Sequence, residues 1–311
     1  MSTRPDLDPA WRTELRRGLE RLHAGDFAGA EAHFERAHAR APERPEVCVA
    51  LGRERLRRGR AGEAEALLRA AWTTDPTLVS AAASLARCLG VFARRGAEAH
   101  AILDDAEARH GRDAGLLVVR SEVFLEERRV DEARIAALAA LAAATTGASG
   151  ARPSAARVAA ELALARVHNA EGLELARAGR DDEALFAFKR ASDLDGDWAA
   201  PVVNLGAAFA RLGRLARARS AWERALVLDP DNAAARHNLA DDRVQSAAAL
   251  EAGDDLAGAE AQLLAALSVD TAHVLAHTRL AQLYARLGRY LEAAELKRRA
   301  EQLKSAPAPQ A

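Results

Sequence analysis

Three histidines in the last third of the chain are the residues whose spacing comes nearest to a metal site. His273 and His277 are four positions apart, and His237 could lie near them. Two imidazoles at i and i+4 on one helix face can bind a metal ion when further ligands are present. The sequence fixes no carboxylate or cysteine beside them, and histidines on exposed helices are common. We therefore expect no metal site here.

Carboxylates form the second candidate group, an acidic run made of Asp241, Asp242, Asp254 and Asp255. A solvated helix face or a set of helix caps explains such a run better than acid–base chemistry does. The sequence contains no phosphate-binding loop, nucleophile elbow, dinucleotide glycine motif or HExxH motif. These observations predict a protein that is not an enzyme and needs no cofactor.

Charge and composition argue against two further classes of protein. The 44 basic and 45 acidic residues leave a formal net charge of −1, which lacks the cationic excess of a general nucleic-acid binder. No uninterrupted apolar run approaches the roughly 18 residues of a membrane helix, so we expect a cytoplasmic protein. Aromatic residues are only 4% of the chain, and we expect core or end-cap positions for its four tryptophans, Trp11, Trp72, Trp198 and Trp222.

The two cysteines, Cys48 and Cys88, match no metal-ligand spacing. We expect both to be reduced thiols that pack as small apolar side chains. Arginine almost replaces lysine throughout the chain, which is typical of a GC-rich, bacterial genome.

Small residues recur along the chain at a nearly constant interval. They are separated by 34, 35, 34, 51, 34, 41 and 34 residues in the series Ala30, Ala64, Ala99, Ala133, Ala184, Ala218, Ala259 and Ala293. A period near 34 with two helical patterns per unit resembles the tetratricopeptide repeat, over about residues 11 to 304. The resemblance implies about eight repeats, several degenerate, in an all-α solenoid, a right-handed superhelix of antiparallel helix pairs.

The sixth unit shows the physical reason for the pattern. Helices approach closely only where side chains are small, so we expect Gly206 on the first helix to face Ala218 on the second. Trp222 would cover that crossing. Gly213 allows the first helix to end in a left-handed conformation, and Pro230 stops the second helix.

Irregular intervals predict the domain organisation. The excess of 17 residues before Ala184 contains the linker "TTGASGARPS", so we expect one array of four units at 1–146, its third and fourth units degenerate, and another at 147–304. The second array begins with an extended first helix. The excess of seven residues before Ala259 predicts a first helix longer by two turns in the seventh unit. Residues 305–311 should be disordered.

The family resemblance implies that certain positions of each first helix line the concave wall of the superhelix. Projected onto this sequence, those positions carry the arginines Arg12, Arg16, Arg53, Arg57, Arg87, Arg166, Arg177, Arg211, Arg279 and Arg286. The acids there are Glu46, Glu122, Glu126 and Asp241. This excess of cations predicts a ligand that is an acidic peptide or protein segment, although an arginine-rich genome would also place arginines late in helices.

Amides add a second indication on the same wall. Asn204 and Asn238 occupy equivalent positions in consecutive units, Arg279 takes that position in the last unit, and Gln245 and Gln282 lie on the same helices. Such groups bind a peptide backbone. The family's clamp for a terminal carboxylate is incomplete, because Leu275 and other apolar residues replace some of its lysine and asparagine side chains.

These observations predict a non-catalytic scaffold that binds an acidic or extended polypeptide on its concave surface. The alternative is a self-assembling, homo-oligomeric platform, for which the N-terminal end is the better candidate. An accessory module of an enzyme complex is a third possibility.

Overall fold

The computed structural model describes residues 9–145 and 153–305, and these form sixteen α-helices and no strand, as the all-α solenoid prediction requires. In chain order the helices are α1 (Pro9–His23), α2 (Phe27–Arg40), α3 (Pro45–Arg57), α4 (Ala61–Thr74), α5 (Val79–Arg87), α6 (Gly96–His110), α7 (Ala114–Glu126), α8 (Val130–Thr145), α9 (Ala155–Arg177), α10 (Asp181–Leu194), α11 (Ala199–Arg211), α12 (Leu215–Leu228), α13 (Ala233–Ala252), α14 (Leu256–Val269), α15 (Val274–Arg286) and α16 (Tyr290–Ser305). Among the described residues, no helix is long and apolar enough to cross a membrane.

Two compact units divide the chain, unit 1 at Met1–Ala170 and unit 2 at Glu171–Ala311. The division falls inside α9. The predicted boundary between residues 146 and 147 lies outside the described residues. Of the tail predicted to be disordered at 305–311, Ser305 is the last residue of α16, and 306–311 lie outside the described residues.

Consecutive helices form antiparallel pairs with short turns between them. In the pair α11–α12, Gly213 has a φ of +70° just after α11 ends, which confirms the predicted left-handed turn. In three other turns a residue with a side chain takes this conformation instead: Arg94, Arg128 and Asp254. Pro230 follows the last residue of α12 by two positions, also as predicted.

The crossing inside the sixth pair has the cover that the sequence predicts. Ala218 is fully buried, and the Trp222 indole lies directly on Gly206, where a Cβ would overlap its Nε1. That Nε1 also donates to the carbonyl oxygen of Val203, at 3.3 Å. The glycine therefore accommodates a ring from the second helix. Three other pairs repeat this contact between residues sixteen apart: Gly18 with Phe34, Gly52 with Leu68, and Gly172 with Phe188.

The third unit absorbs its extra residue in a π-helical turn at Cys88–Phe92, between α5 and α6. Ala86 is fully buried at the position where other units have glycine. Gly90, inside the π-helical turn, makes a close approach to the next pair, because a Cβ there would overlap the side chain of Val123 on α7. An inserted residue that widens one turn in this way leaves the rest of the helix pair in register.

Two first helices are longer than their equivalents, as the irregular intervals predicted. α13 has 20 residues and α9 has 23, whereas α11 and α15 each have 13. The seven extra residues of α13 add two turns and keep its apolar stripe on the same side.

Aromatic and cysteine residues take the expected core positions. Trp11, Trp72 and Trp222 are buried, and Trp198 is half-buried just before α11. Cys48 and Cys88 are both free and buried. Burial raises the pKa of the Cys88 thiol to about 11, because it disfavours the thiolate.

Candidate polypeptide-binding surface

The first helices of unit 2 form a continuous set of neighbours, since α11 packs with α13 and α13 packs with α15. We name the exposed side of these three helices the first-helix surface; the predicted residues on the three helices are Asn204, Arg211, Asn238, Gln245, Arg279, Gln282 and Arg286. A cleft of about 230 Å³ opens between α11, α12 and α13, and Arg211, Asn238 and Gln245 line it. The structure thus brings three of the predicted residues together in one concavity.

Three side-chain amides on this surface are available to a ligand. Asn238 is half-buried, Gln245 and Gln282 are exposed, and the side chains of these three make no hydrogen bond within residues 9–145 and 153–305. Asn204 is half-buried on α11. A primary amide both donates and accepts, which is what an extended peptide backbone needs from a binding surface.

Two of the three arginines on the first-helix surface have carboxylate partners. Arg211 Nη2 lies 2.6 Å from Asp181 Oδ1 of α10, and Arg286 Nη1 lies 3.2 Å from Glu251 Oε2 in the extension of α13. Arg279 is exposed and has no ion pair within the part of the chain that the structure describes. Arg279 therefore carries the uncompensated charge of this surface.

Unit 1 holds six of the projected arginines, and three of them, Arg53, Arg57 and Arg166, have the following protein partners. Arg53 Nε donates to Ser84 Oγ at 2.8 Å, and partial burial lowers the pKa of the Arg53 guanidinium. Arg57 Nη2 lies 2.6 Å from Glu54 Oε2, and its guanidinium stacks 3.7 Å from the centre of the Phe27 ring.

The third of them, Arg166, shares a carboxylate with Arg87. Arg87 Nε is 2.6 Å from Glu122 Oε2, and Arg166 Nη1 is 3.0 Å from Glu122 Oε1. Arg177, at the end of α9 in unit 2, is exposed and has no ion pair among the described residues. The sequence-based comparison of arginines with acids omitted Glu54, Asp181 and Glu251, which lie off the projected positions, and so it overstated the free positive charge.

The histidine cluster differs from its prediction in burial and in surroundings. His273 and His277 are only 3% and 8% exposed, not surface residues. His237 does lie against His273, with ring centroids 4.9 Å apart, and Asp241 Oδ1 is 3.1 Å from His273 Nε2. His277 faces elsewhere, with its Nε2 3.0 Å from the carbonyl oxygen of Thr271.

Ligand atoms of His237, Asp241 and His273 all lie within 4.8 Å of one another, close enough to test as a metal site. His273, however, is the N-cap of α15, and its Nδ1 accepts from the backbone N–H of Ala276 at 3.2 Å. A neutral imidazole that accepts at Nδ1 carries its proton on Nε2, so the nitrogen that faces Asp241 has no lone pair for a metal. Asn232 caps α13 in the same way, which indicates a structural role for His273.

The acidic run divides among several roles. Asp255 caps α14 by accepting from the backbone N–H of Gly258 at 2.9 Å, which confirms one predicted cap. Asp242 is 4% exposed, not solvated, and its Oδ2 is 2.6 Å from Arg219 Nε. Asp254 is in a left-handed turn.

Sequence reasoning missed a second cleft, which lies on the face of α15 and α16. It has a volume of about 400 Å³, and its lining includes Ala281, Ala285, Ala293, Ala294 and Ala300. Alanines at this spacing along α16 were the available signal. Ala293 was considered from sequence as a marker of the repeat, and the exposed Ala294 beside it was not.

These features define a class: an all-α solenoid of antiparallel helix pairs with an open face on its first helices. Residues 21–88 and 201–232 each match the sequence profile of the tetratricopeptide repeat. The chain is a tetratricopeptide-repeat protein.

Solved structures with similar folds include the human IFIT1 dimer with m7Gppp-AAAA, at 16% identity over 95% of this chain and 72% of that one, with a TM-score of 0.57. PilW, described as a widely conserved type IV pilus biogenesis factor, is 16% identical over 74% of this chain and 98% of its own, with a TM-score of 0.56. Pseudomonas aeruginosa pilF is 18% identical over 76% and 97%, with a TM-score of 0.51. Comparison with curated proteins gives no significant match.

Proposed function

We propose that the protein is a non-catalytic scaffold that binds an extended polypeptide segment along the first-helix surface of unit 2. The observation that carries the proposal is the set of amides without protein partners, of which Asn238 and Gln245 line one cleft. Tetratricopeptide repeats in general bind proteins or peptides, which supports this class of ligand.

The ligand's charge follows from the pairing of the arginines. Because Asp181 and Glu251 neutralise Arg211 and Arg286, the acidic preference rests on Arg279. We propose that an acidic side chain of the bound segment pairs with Arg279 while its backbone bonds to Asn238 and Gln245. An exposed guanidinium gives a modest, salt-sensitive contribution to affinity.

A display library of random peptides, selected on the full chain, provides probes for this surface. Asn238→Ala removes one backbone contact and should weaken selected peptides about fivefold, equivalent to about 1 kcal/mol. Gln302→Ala removes an exposed amide on α16 that lines neither cleft, and it serves as the matched control. Peptides that bind wild type and Asn238→Ala equally would place the binding site elsewhere.

Arg279→Glu tests the charge of the ligand separately. Selected peptides should be enriched in aspartate and glutamate, and this variant should lose affinity for them, more strongly at low salt than at high salt. Arg286→Glu is the comparison, because its wild-type cation is already paired. If the library yields neutral or basic peptides, the proposed preference for acidic segments is wrong, while the proposed scaffold function still stands.

RNA is the competing ligand, since the human IFIT1 structure contains a capped RNA. We propose a polypeptide and no nucleic acid, because the net charge is −1 and most of the predicted groove arginines are paired. The oligonucleotide m7Gppp-AAAA should show no salt-dependent binding to the full chain. We further propose a bacterial, cytoplasmic location and no cofactor.

Self-assembly is the second candidate function. Leu287, Tyr290 and Leu291, around the turn into α16, are 41%, 72% and 85% exposed, an apolar group of the kind that interfaces use. If the protein is an oligomer, Leu291→Glu should lower its mass in light scattering. A wild-type monomer at high concentration rules this function out.

A further inference from the structure

The face of α15 and α16 carries a cleft that no described helix covers. Its cleft of about 400 Å³ has an alanine floor, in which Ala293 and Ala300 are buried while Ala285 and Ala294 are exposed. A floor of alanines allows a helix to approach to about 8 Å, the short end of the usual packing distance.

The preceding pair shows what kind of element fits such a face. α15 packs on α13 and α14 through Ala276, Leu280 and Leu283, all at most 1% exposed, and they share one core with Ala259 and Leu263 of α14. α13 covers α11 and α12 in the same way. No described helix follows α16 to cover the equivalent face of the last pair.

Charge restricts the identity of the covering helix. Lys297 and Lys304 line the cleft with Glu301 between them, while Arg298, Arg299 and Glu295 are exposed on the same helix outside the lining. The acid at the start of α16, Glu292, is paired with Arg289. The rim of the cleft is therefore basic, and an acidic helix complements it.

A second copy of this chain complements the face poorly. Head-to-tail stacking would place α1 on the α15–α16 face, and α1 carries Arg12, Arg16, Arg17 and Arg21. Its two acids are Glu20 and Glu14, of which Glu14 is engaged by His33 and Arg36 of α2, so α1 keeps an excess of basic residues. Such an interface would bring arginines against Lys297 and Lys304.

We propose that the α15–α16 face binds an amphipathic helix of a partner protein, with small residues and leucines in the alanine-floored cleft and acidic residues against Lys297 and Lys304. The proposal rests on the scaffold function and adds a second site, centred on α16, that adjoins the first-helix surface at Gln282. The partner's apolar residues should recur at i, i+4 and i+7, the spacing of Ala276, Leu280 and Leu283.

Two peptides based on α15 test the proposal. Both keep its apolar stripe and are held helical by a hydrocarbon staple on the opposite side, since a helix of this length is marginal alone. The acidic probe carries Arg279→Glu, Gln282→Glu and Arg286→Glu, and the basic probe carries lysine at the same three positions. Fluorescence anisotropy against the full chain should show at least about tenfold tighter binding of the acidic probe at low salt.

Variants of the full chain locate the binding. Ala294→Trp fills the cleft and should abolish binding of the acidic probe, and Ala285→Trp is a second block if the first variant does not fold. Ala261→Trp, on an exposed position of α14 outside the cleft, is the matched control and should bind normally. Lys297→Glu combined with Lys304→Glu should reverse the preference between the two probes.

Three outcomes would overturn the inference: equal affinity for the two probes, binding that survives both tryptophan variants, or a concentration-dependent dimer that Ala294→Trp abolishes. The last would make the face a contact between copies. The Asn238→Ala measurement with selected peptides is independent of these results. If that variant weakens selected peptides while the acidic probe fails to bind, only the helix-binding inference is wrong.

Discussion

Gly206 of α11 lies directly beneath the indole of Trp222 of α12, so close that a methyl group on Gly206 would overlap the ring nitrogen. Equivalent contacts in three other pairs show that the glycine and the large side chain sixteen residues later act as one packing unit. Substitution of either residue alters the distance between two helices.

Gly206→Ala should therefore destabilise the protein by about 1–3 kcal/mol, the usual cost of overpacking, and Gly206→Trp by more. Urea unfolding measures the change. Gly62→Ala is the matched control, because Gly62 lies in a helix with open space around it, and the substitution should stabilise by about 0.5–1 kcal/mol. Equal effects of the two alanine substitutions would contradict the crossing described above.

His273→Ala should cost about 1 kcal/mol or more, because it removes the cap of α15 and leaves a cavity. From sequence, His273 was treated as a residue of an exposed helix, whose substitution should change stability little. Its burial predicts a larger loss of stability. His273→Asn should retain much of the stability, since Asn232 already performs this role for α13. Thermal melts with and without Zn²⁺ complete the test, and a large zinc-induced shift that His273→Ala abolishes would show that the imidazole is a ligand after all.

Glu14 should contribute an acid-sensitive part of the stability. Hydrogen bonds from Arg36 and then His33 lower the pKa of the Glu14 carboxyl from 4.5 to about 2. The stabilisation is present above the unfolded value near 4.5 and is lost as the pH falls toward 2. Glu14→Gln should be less stable than wild type at neutral pH, and the difference should shrink through that window.

Glu20→Gln is the comparison for Glu14, because Glu20 is well exposed and lies 3.8 Å from Arg16. Its effect on stability should be small, because this ion pair is exposed to solvent. A difference between wild type and Glu14→Gln that stays constant from neutral to acidic pH would show that the carboxylate is not held in its charged form by these partners.

Cys88 and Cys48 should resist thiol reagents in the folded protein. Burial raises the pKa of both thiols, that of Cys88 to about 11, so few thiolates form at a pH of about 8 and access is blocked. Native labelling with a disulfide reagent should be slow, and unfolding in urea should expose both cysteines. Ala261→Cys, on an exposed position of α14, should add one fast-reacting thiol, and equally fast labelling of the wild type would contradict the burial.

The fold could be predicted because the residues that determine it recur at a regular interval in the sequence. The interval near 34 residues, the turn at Gly213 and the seven added residues of α13 are all properties of local sequence, and the structure confirms them. The cover of Gly206 by Trp222 was also predicted, but its recurrence in other pairs at a separation of sixteen residues was not. The structure shows that recurrence at Phe34, Leu68 and Phe188.

The site was less predictable because its contacts join different helix pairs. Asp181 and Arg211 are 30 positions apart, and His273 meets Asp241 across 32 positions, so neither pair has a local signature. The positions of the first-helix residues followed from the repeat, but their charge state depended on acids from neighbouring helices. Counting residues at the projected positions therefore predicted which residues the surface contains, but not which of their charges are paired.

The π-helical turn at Cys88–Phe92 shows how such an array tolerates a change in length. An extra residue in a regular helix would rotate everything after it by about 100° and turn buried side chains toward water. Here the wider π-helical turn accommodates the inserted residue, and the following helix keeps its orientation. Insertion or deletion of one residue at this turn therefore need not disturb the neighbouring repeats. The length of this repeat can change during evolution.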